Sequence, residues 1–222
     1  MAVTNIHLRK LLMIMHAPAN VRIAKLRADI RDDLAREAGT LRSGGGDFYG
    51  PFWADAKGHA VGSVDLVEAT RERIASNERR RNLYPLLRDG FLLWWDQRRR
   101  WTNEPFRPIE SPRARFSFPN VNAIVKVDNI LAVRDARNQD HMVYPYFAPI
   151  PALSEDAARH GLWLLTNALP RIPADELRML DVIRGQTHAI GRPKMRGTEE
   201  QEFRVLYQNL ILQEEHLRSE YD

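Results

Sequence analysis

An arginine- and tryptophan-rich segment, Arg79 to Trp101, is the part of the sequence best equipped to do chemistry. Arginine triplets lie at its start and near its end, and three tryptophans lie in its second half. Arginine binds phosphate oxygens through paired hydrogen bonds and stacks on indole rings. A nucleic-acid groove uses both types, with arginine on phosphate and tryptophan on bases. The candidate contact residues are Arg79, Arg80, Arg81, Arg98, Arg99, Arg100 and Trp101.

The same segment suits two other roles. Trp94 and Trp95 are typical of core anchors, and the arginines would then form a solvated face or pair with acidic residues. Tryptophan and arginine are also enriched at the centres of protein interfaces. The sequence therefore leaves open a core helix, a nucleic-acid surface and a protein-binding surface.

Histidine spacing and the absence of cysteine limit the remaining chemistry. The chain has no cysteine, which excludes disulfides, thiolate metal sites and a cysteine nucleophile. No two of its seven histidines lie three to five residues apart, so there is no local zinc pattern. The run Ser43 to Gly46 lacks the Gly-Lys-Ser/Thr ending of a phosphate loop and is predicted to be a linker.

Positive charge is concentrated in the first half of the chain. Residues 1–110 carry 19 Lys+Arg against 14 Asp+Glu, a net charge of +5, whereas residues 111–222 carry 14 against 15, a net of −1. The basic residues are 28 Arg and 5 Lys, a bias that a GC-rich genome also produces. The charge asymmetry favours an acidic partner, such as DNA, RNA or an acidic protein.

Residues 1–108 are predicted to form a helical, basic region. Asn20 is a candidate N-cap for a helix that ends at Gly39. Further helices are expected after Pro51, after Ser63 or Asp65, and over Leu83 to Trp101, each with apolar residues at helical spacing. The longest N-terminal apolar run, Leu11 to Met15, is too short for a membrane span or a signal peptide, which predicts a cytoplasmic protein with no membrane partner.

Residues 109–222 are predicted to form a mixed-sheet α/β region. Four prolines between 105 and 119 mark the change from helical to extended structure. Ile124 to Val133 and Met142 to Phe147 are expected to pair as a β-hairpin, and Leu177 to Ile190 to form strands interrupted by Gly185. Ser154 is expected to cap a helix, and Thr198 with Gln201 to start a C-terminal amphipathic helix. The predicted class is α+β.

The order of these elements resembles the core of PD-(D/E)xK nucleases of the RecB type. The run Val127 to Val133 is similar to the strand of that family that carries a metal-binding aspartate, here Asp128. The family's next strand carries Asp/Glu-x-Lys, but His141 to Phe147 has neither the acid nor the lysine. The resemblance covers about residues 104–220 and implies a degenerate nuclease scaffold without its active site. Asp128-Asn129 is also a common turn pair.

These observations favour a non-catalytic module that binds nucleic acid or assembles with a protein and needs no cofactor. A first alternative is a nuclease that uses Mg²⁺ or Mn²⁺, which needs at least two carboxylates around the metal. Its candidate ligands are Asp128, Asp140 and Glu110. A second alternative is a regulatory or structural subunit of an oligomer, in which the acidic final helix pairs with a basic surface.

Overall fold

The computed structural model describes residues 3–40 and 48–221, and it is a mixed α/β structure as the sequence predicted. Its helices lie mostly in the first half of the chain and its sheets in the second. The predicted linker, Ser43 to Gly46, lies outside the described residues. No helix within the described residues has the length and apolar character needed to span a membrane.

Seven α-helices and eight strands are found within the described residues. The helices are α1 (Leu8–Met15), α2 (Ala19–Glu37), α3 (Gly50–Ala60), α4 (Leu66–Ser76), α5 (Tyr84–Leu92), α6 (Glu155–Ala168) and α7 (Glu199–Arg218). The strands are β1 (Asn5–His7), β2 (Arg107–Pro108), β3 (Ala114–Phe118), β4 (Ala123–Val127), β5 (Leu131–Arg134), β6 (Asp140–Tyr146), β7 (Leu177–Asp181) and β8 (Gln186–Ala189).

The strands form two separate sheets. One has three strands in the order β1-β4-β3, with β1 parallel and β3 antiparallel to β4. The other has five strands in the order β2-β5-β6-β7-β8, in which only the β6–β7 pair is parallel. The chain runs from β6 through α6 to β7, as a parallel crossover requires.

Helices cover both faces of the five-stranded sheet. Along β6, Tyr144 and Tyr146 point into one core with α1, α2, α6 and α7, whereas Val143 points into a second core with α3 and α5. The alternation follows from the two-residue period of a strand. Each core therefore draws on residues from both halves of the sequence.

Three of the four predicted N-cap positions are correct and one is wrong. Asp65 accepts from the backbone N–H groups of α4, and Ser154 accepts from Ala157 N at the start of α6. Asn20 is not a cap, because α2 begins one residue earlier, behind Pro18. Thr198 occupies the N-cap position of α7 as predicted, but its side chain accepts no backbone N–H, since its ψ of 1° is not the extended conformation of a capping residue; its hydroxyl donates to Glu202.

The predicted strand from Ile124 to Val133 is not continuous. It divides into β4 and β5, which belong to different sheets, and Asp128 lies at the break. Asn129 adopts φ 59°, a left-handed conformation that interrupts a strand. The predicted hairpin is formed by β5 and β6 alone.

The helix predicted over Leu83 to Trp101 ends early. After α5 the chain continues as a π-helical turn, Leu93–Arg98, and then becomes extended at Arg99. The backbone N–H of Arg99 donates to the carbonyl of Trp94, five residues back, at 2.6 Å. The wider turn changes the direction of the second arginine triplet relative to a regular α-helix.

Candidate nucleic-acid interface

A cleft of about 670 Å³ lies between the second arginine triplet and the β7–β8 turn. None of its lining residues, all of them in the described part of the chain, is acidic, and five are arginines. We call it the arginine cleft. It is lined by Trp94, Gln97, Arg98, Arg99, Arg100, Trp101, Arg178, Gly185, Gln186, Thr187, Ala189 and Arg192.

Two glycines set the distance between the arginine triplet and the sheet. A Cβ atom on Gly90 in α5 would lie 2.5 Å from the carbonyl carbon of Ile183, in the β7–β8 turn. A Cβ atom on Gly185, which has φ 56°, would lie 2.6 Å from the carbonyl oxygen of Gly90. The two backbones therefore touch, and this contact holds the π-helical turn against β8.

Arg98 and Arg100 are exposed, and neither forms an ion pair with a described residue. Arg98 is fixed in place by the β7–β8 turn, because its Nη1 donates to the carbonyls of Arg184 at 2.9 Å and Gly185 at 3.3 Å. The side chain of Arg100 has no hydrogen bond to the described chain. Both guanidinium groups keep donors available for an outside acceptor.

Arg99 has a structural role, unlike its two neighbours in the triplet. Its guanidinium carbon lies 3.9 Å from the ring centre of Trp95 and 4.6 Å from that of Phe106. Its Nη2 donates to Glu104 at 2.7 Å, and only 9% of its side chain is exposed. The expected stacking of arginine on tryptophan is thus present, and it ties Arg99 to the core.

Trp101 forms one wall of the cleft but is mostly covered. Its ring stacks on His141 with 4.0 Å between centres and a 5° angle, and the guanidinium carbon of Arg178 lies 5.4 Å from its centre. Trp94, Trp95 and Trp101 are 1%, 7% and 8% exposed. All three are core residues, so stacking of bases on them would require the cleft to open.

Asp135 helps to hold the Trp101 wall of the cleft in place, because it contacts His141, on which Trp101 stacks. Its carboxylate accepts from the Asn103 side chain at 3.0 Å, from the backbone N–H groups of Arg137 and Gln139, and contacts His141 Nε2 at 3.2 Å. The bond from Asn103, with those from Gln139, His141 and Arg137, holds the pKa of Asp135 far below its ordinary value of 3.8. The carboxylate thereby fixes the ring that supports Trp101.

We expect Asp135→Asn to lower the melting temperature at pH 7, because an amide accepts fewer hydrogen bonds than a carboxylate. Because the pKa of Asp135 is lower in the folded protein than in the unfolded chain, the ionised carboxylate stabilises the fold fully above its ordinary pKa of 3.8. This stabilisation is lost as the pH falls from that value through the folded-state pKa. The Tm difference between wild type and variant should therefore narrow below about pH 4. Circular dichroism melts at several pH values measure it. Asp96→Asn is the exposed control, and an equal difference at all pH values would contradict the prediction.

A second depression, of about 840 Å³, continues the arginine cleft along β8. The two share Gln186, Thr187 and Arg192, so together they form one groove. The second part adds Lys194 and Arg196, both exposed, and one carboxylate, Glu155. Basic residues therefore line the groove along its whole length.

The first arginine triplet does not line the arginine cleft. It lies in the 3-10 turn between α4 and α5. Arg80 donates to the carbonyl of Arg73 and lies over the ring of Tyr84, and Arg81 is 3.6 Å from Glu78. The structure thus separates the two triplets that the sequence joined into one candidate surface.

No family model, curated protein or solved structure matches the chain. The resemblance to PD-(D/E)xK nucleases therefore stays a prediction.

The three carboxylates of the metal-site hypothesis are not brought together. Asp128 follows β4 in the three-stranded sheet, whereas Asp140 begins β6 in the other sheet. Both oxygens of Asp140 accept from Arg134, at 2.5 and 2.9 Å. Glu110 is exposed between β2 and β3. No group of three or more His, Asp or Glu side chains among the described residues is placed to hold a metal ion.

Arg178 and Arg192 were missed by sequence reasoning. Arg178 is the second residue of β7, where the strand otherwise reads Leu-x-Met-Leu-Asp. An arginine inside such an apolar strand is a detectable signal, since a buried cation needs a partner. Arg192 follows Gly191 in a turn, and nothing in its local sequence indicates that the turn lies beside the second arginine triplet.

Proposed function

We propose that the protein binds the phosphate backbone of nucleic acid through the arginine cleft. The observation that carries the proposal is the composition of the cleft: among the described residues, five arginines line it and no carboxylate does. A cleft with one sign of charge and protein walls concentrates its positive potential, and this attracts a polyanion.

The charges of the cleft are poorly compensated from within the protein. Arg100 and Arg192 are exposed and form no side-chain hydrogen bond or ion pair with any described residue. Within the part of the chain that the structure describes, Arg98 bonds only to main-chain carbonyls, and of the five arginines only Arg99 bonds to a carboxylate. Cationic donors that face solvent without a partner are suited to phosphate oxygens, which accept paired bonds from arginine.

Binding should be independent of base sequence. The tryptophans that could stack on bases are in the core. The groove along β8 offers arginine, lysine, glutamine and threonine side chains to a ligand. Contacts to phosphate set position and carry no sequence information.

The affinity for an oligonucleotide should fall steeply as salt increases. Each phosphate contact releases condensed counterions. One contact to duplex DNA from each of Arg98, Arg100 and Arg192 predicts a slope of log K against log salt of about −3. Fluorescence anisotropy with labelled duplexes of two unrelated sequences measures both the slope and the sequence independence.

Two outcomes would contradict the proposal. One is the absence of binding at low salt to duplex DNA, single-stranded DNA and RNA alike. The other is an affinity that does not change with salt, because phosphate contacts cannot give that result. Heparin, a polyanion without bases, is the competitor of choice and should displace the oligonucleotide.

A further inference from the structure

A second cluster of positive charge lies on the three-stranded sheet, and the proposed function does not use it. His7, Lys126 and Arg115 are aligned across β1, β4 and β3, since Lys126 is the register partner of both other residues. Adjacent strands lie about 4.8 Å apart, so the three side chains form a row about 10 Å long. Arg113 lies two residues before Arg115.

This row is unfavourable for folding. Like charges directly opposite each other on neighbouring strands repel, and sheets are usually stabilised by the reverse arrangement. Arg113 and Arg115 are exposed and Lys126 is half-buried, and the side chains of all three form no hydrogen bond or ion pair with the described chain. These three cations, one on β4 and two at or just before β3, therefore have no acceptor within the described chain.

Among the described residues that line this face, the one carboxylate, Asp128, is already engaged. Asp128 Oδ1 lies 3.1 Å from His7 Nδ1 and 3.2 Å from Arg9 Nη1. Burial alone would raise the pKa of Asp128, but the hydrogen bond and charge of His7, with the charge and hydrogen bond of Arg9, outweigh burial and lower this pKa. Asp128 therefore stays ionised and pairs with His7 and Arg9, but it bonds to none of Arg113, Arg115 and Lys126.

The positive potential reaches a neighbouring helix. Lys57 of α3 has a lowered pKa, first because it is partly buried and second because Arg113 repels its charge. A depression of about 380 Å³ lies over the row and is lined by Arg113, Ala114, Arg115, Lys126, Val127 and Asp128. An anion in this depression would meet several uncompensated donors.

We infer that this face of the three-stranded sheet, with Arg113, Arg115 and Lys126, is a phosphate-binding site separate from the arginine cleft. The ligand chemistry is a phosphate group, which accepts bonds from two arginines and a lysine and removes the repulsion within the row. The group can belong to a free diphosphate or nucleotide, or to the backbone of a nucleic acid.

The test uses inorganic pyrophosphate and the full-length protein with Arg98→Gln, Arg100→Gln and Arg192→Gln, so that the arginine cleft cannot contribute. We expect saturable shifts of the backbone amide signals of β3 and β4 in NMR spectra, and no such shifts with sodium chloride at equal ionic strength. Adding Arg115→Gln and Lys126→Gln should weaken pyrophosphate binding at least tenfold, by the loss of two charged hydrogen bonds. Lys25→Gln on α2 is the matched control and should change nothing.

The melting temperature of the Lys126→Gln variant distinguishes a ligand-binding role of Lys126 from a structural one. Because the row is repulsive, Lys126→Gln should leave the Tm unchanged or raise it, whereas a structural cation would lower it. A lower Tm, or identical shifts with pyrophosphate and chloride, would overturn the inference. An oligonucleotide added to the variant with Arg98→Gln, Arg100→Gln and Arg192→Gln identifies where the phosphate group comes from. NMR shifts of the β3 and β4 amides with the oligonucleotide indicate a nucleic-acid backbone. Shifts with pyrophosphate alone indicate a small ligand. Failure of the arginine cleft to bind nucleic acid would leave this result unaffected.

Discussion

Gly90→Ala is expected to lower the free energy of unfolding by about 3 kcal/mol, near the upper end for overpacking a core. The added methyl group would meet backbone atoms of Val182 and Ile183, which cannot rotate away as a side chain can. The gain in helix propensity from glycine to alanine, about 1 kcal/mol, opposes this loss but is smaller. Urea unfolding at constant m-value measures the difference.

The same substitution should also affect the arginine cleft. To accommodate the methyl group, α5 must move away from the β7–β8 turn, and Arg98 then loses its carbonyl acceptors in that turn. Gly58→Ala is the matched control: it is also in a helix, but its methyl group would meet side-chain atoms of Val64 and Ser63. Equal destabilisation by the two substitutions would contradict the close contact between α5 and the turn.

The combined variant Arg98→Gln, Arg100→Gln and Arg192→Gln is expected to weaken nucleic-acid binding by about a hundredfold or more. A hydrogen bond to a charged group contributes about 1.5–3 kcal/mol, and each 1.4 kcal/mol of binding free energy is a factor of ten in affinity. The loss of even part of three such bonds therefore lowers the affinity by about a hundredfold. The variant should fold normally, because all three side chains are exposed and none pairs with a described carboxylate. Anisotropy titration at low salt measures the affinity.

The controls for this variant follow from the structure. Arg71→Gln removes an arginine whose side chain is 71% exposed on α4, outside the cleft, and should have little effect. Arg99→Gln should instead lower the Tm, since Arg99 stacks on Trp95 and Phe106 in the core. Full binding by the combined variant would show that nucleic acid contacts another surface.

The sequence predicts the class of the fold and most element types, because local signals determine them. Ser154 and Asp65 cap helices as expected, and Gly185 separates β7 from β8. Each of these signals acts within four residues along the chain. The burial of Trp94 and Trp95 agrees with one of the three roles that the sequence left open for this segment.

The composition of the arginine cleft could be predicted only in part. Arg98 and Arg100 are visible in the sequence, but Arg178 and Arg192 reach the cleft through the packing of β7 and β8 against the π-helical turn. The contact between Gly90 and Gly185 joins positions almost a hundred residues apart, and no local pattern specifies it. The break at Asn129 was missed for another reason: β-branched residues on both sides of it read as one strand.

Strand β8 is the last strand of the five-stranded sheet, and its outer edge pairs within the described chain only at Ala189, which bonds to the backbone of Arg192. An open edge of this kind is a template for pairing with the strand of another molecule. Arg192, Lys194 and Arg196 follow β8 directly and are all exposed. Their charges repel the same region of a second copy and so protect the edge against aggregation. The groove that would attract a polyanion therefore also keeps identical molecules apart.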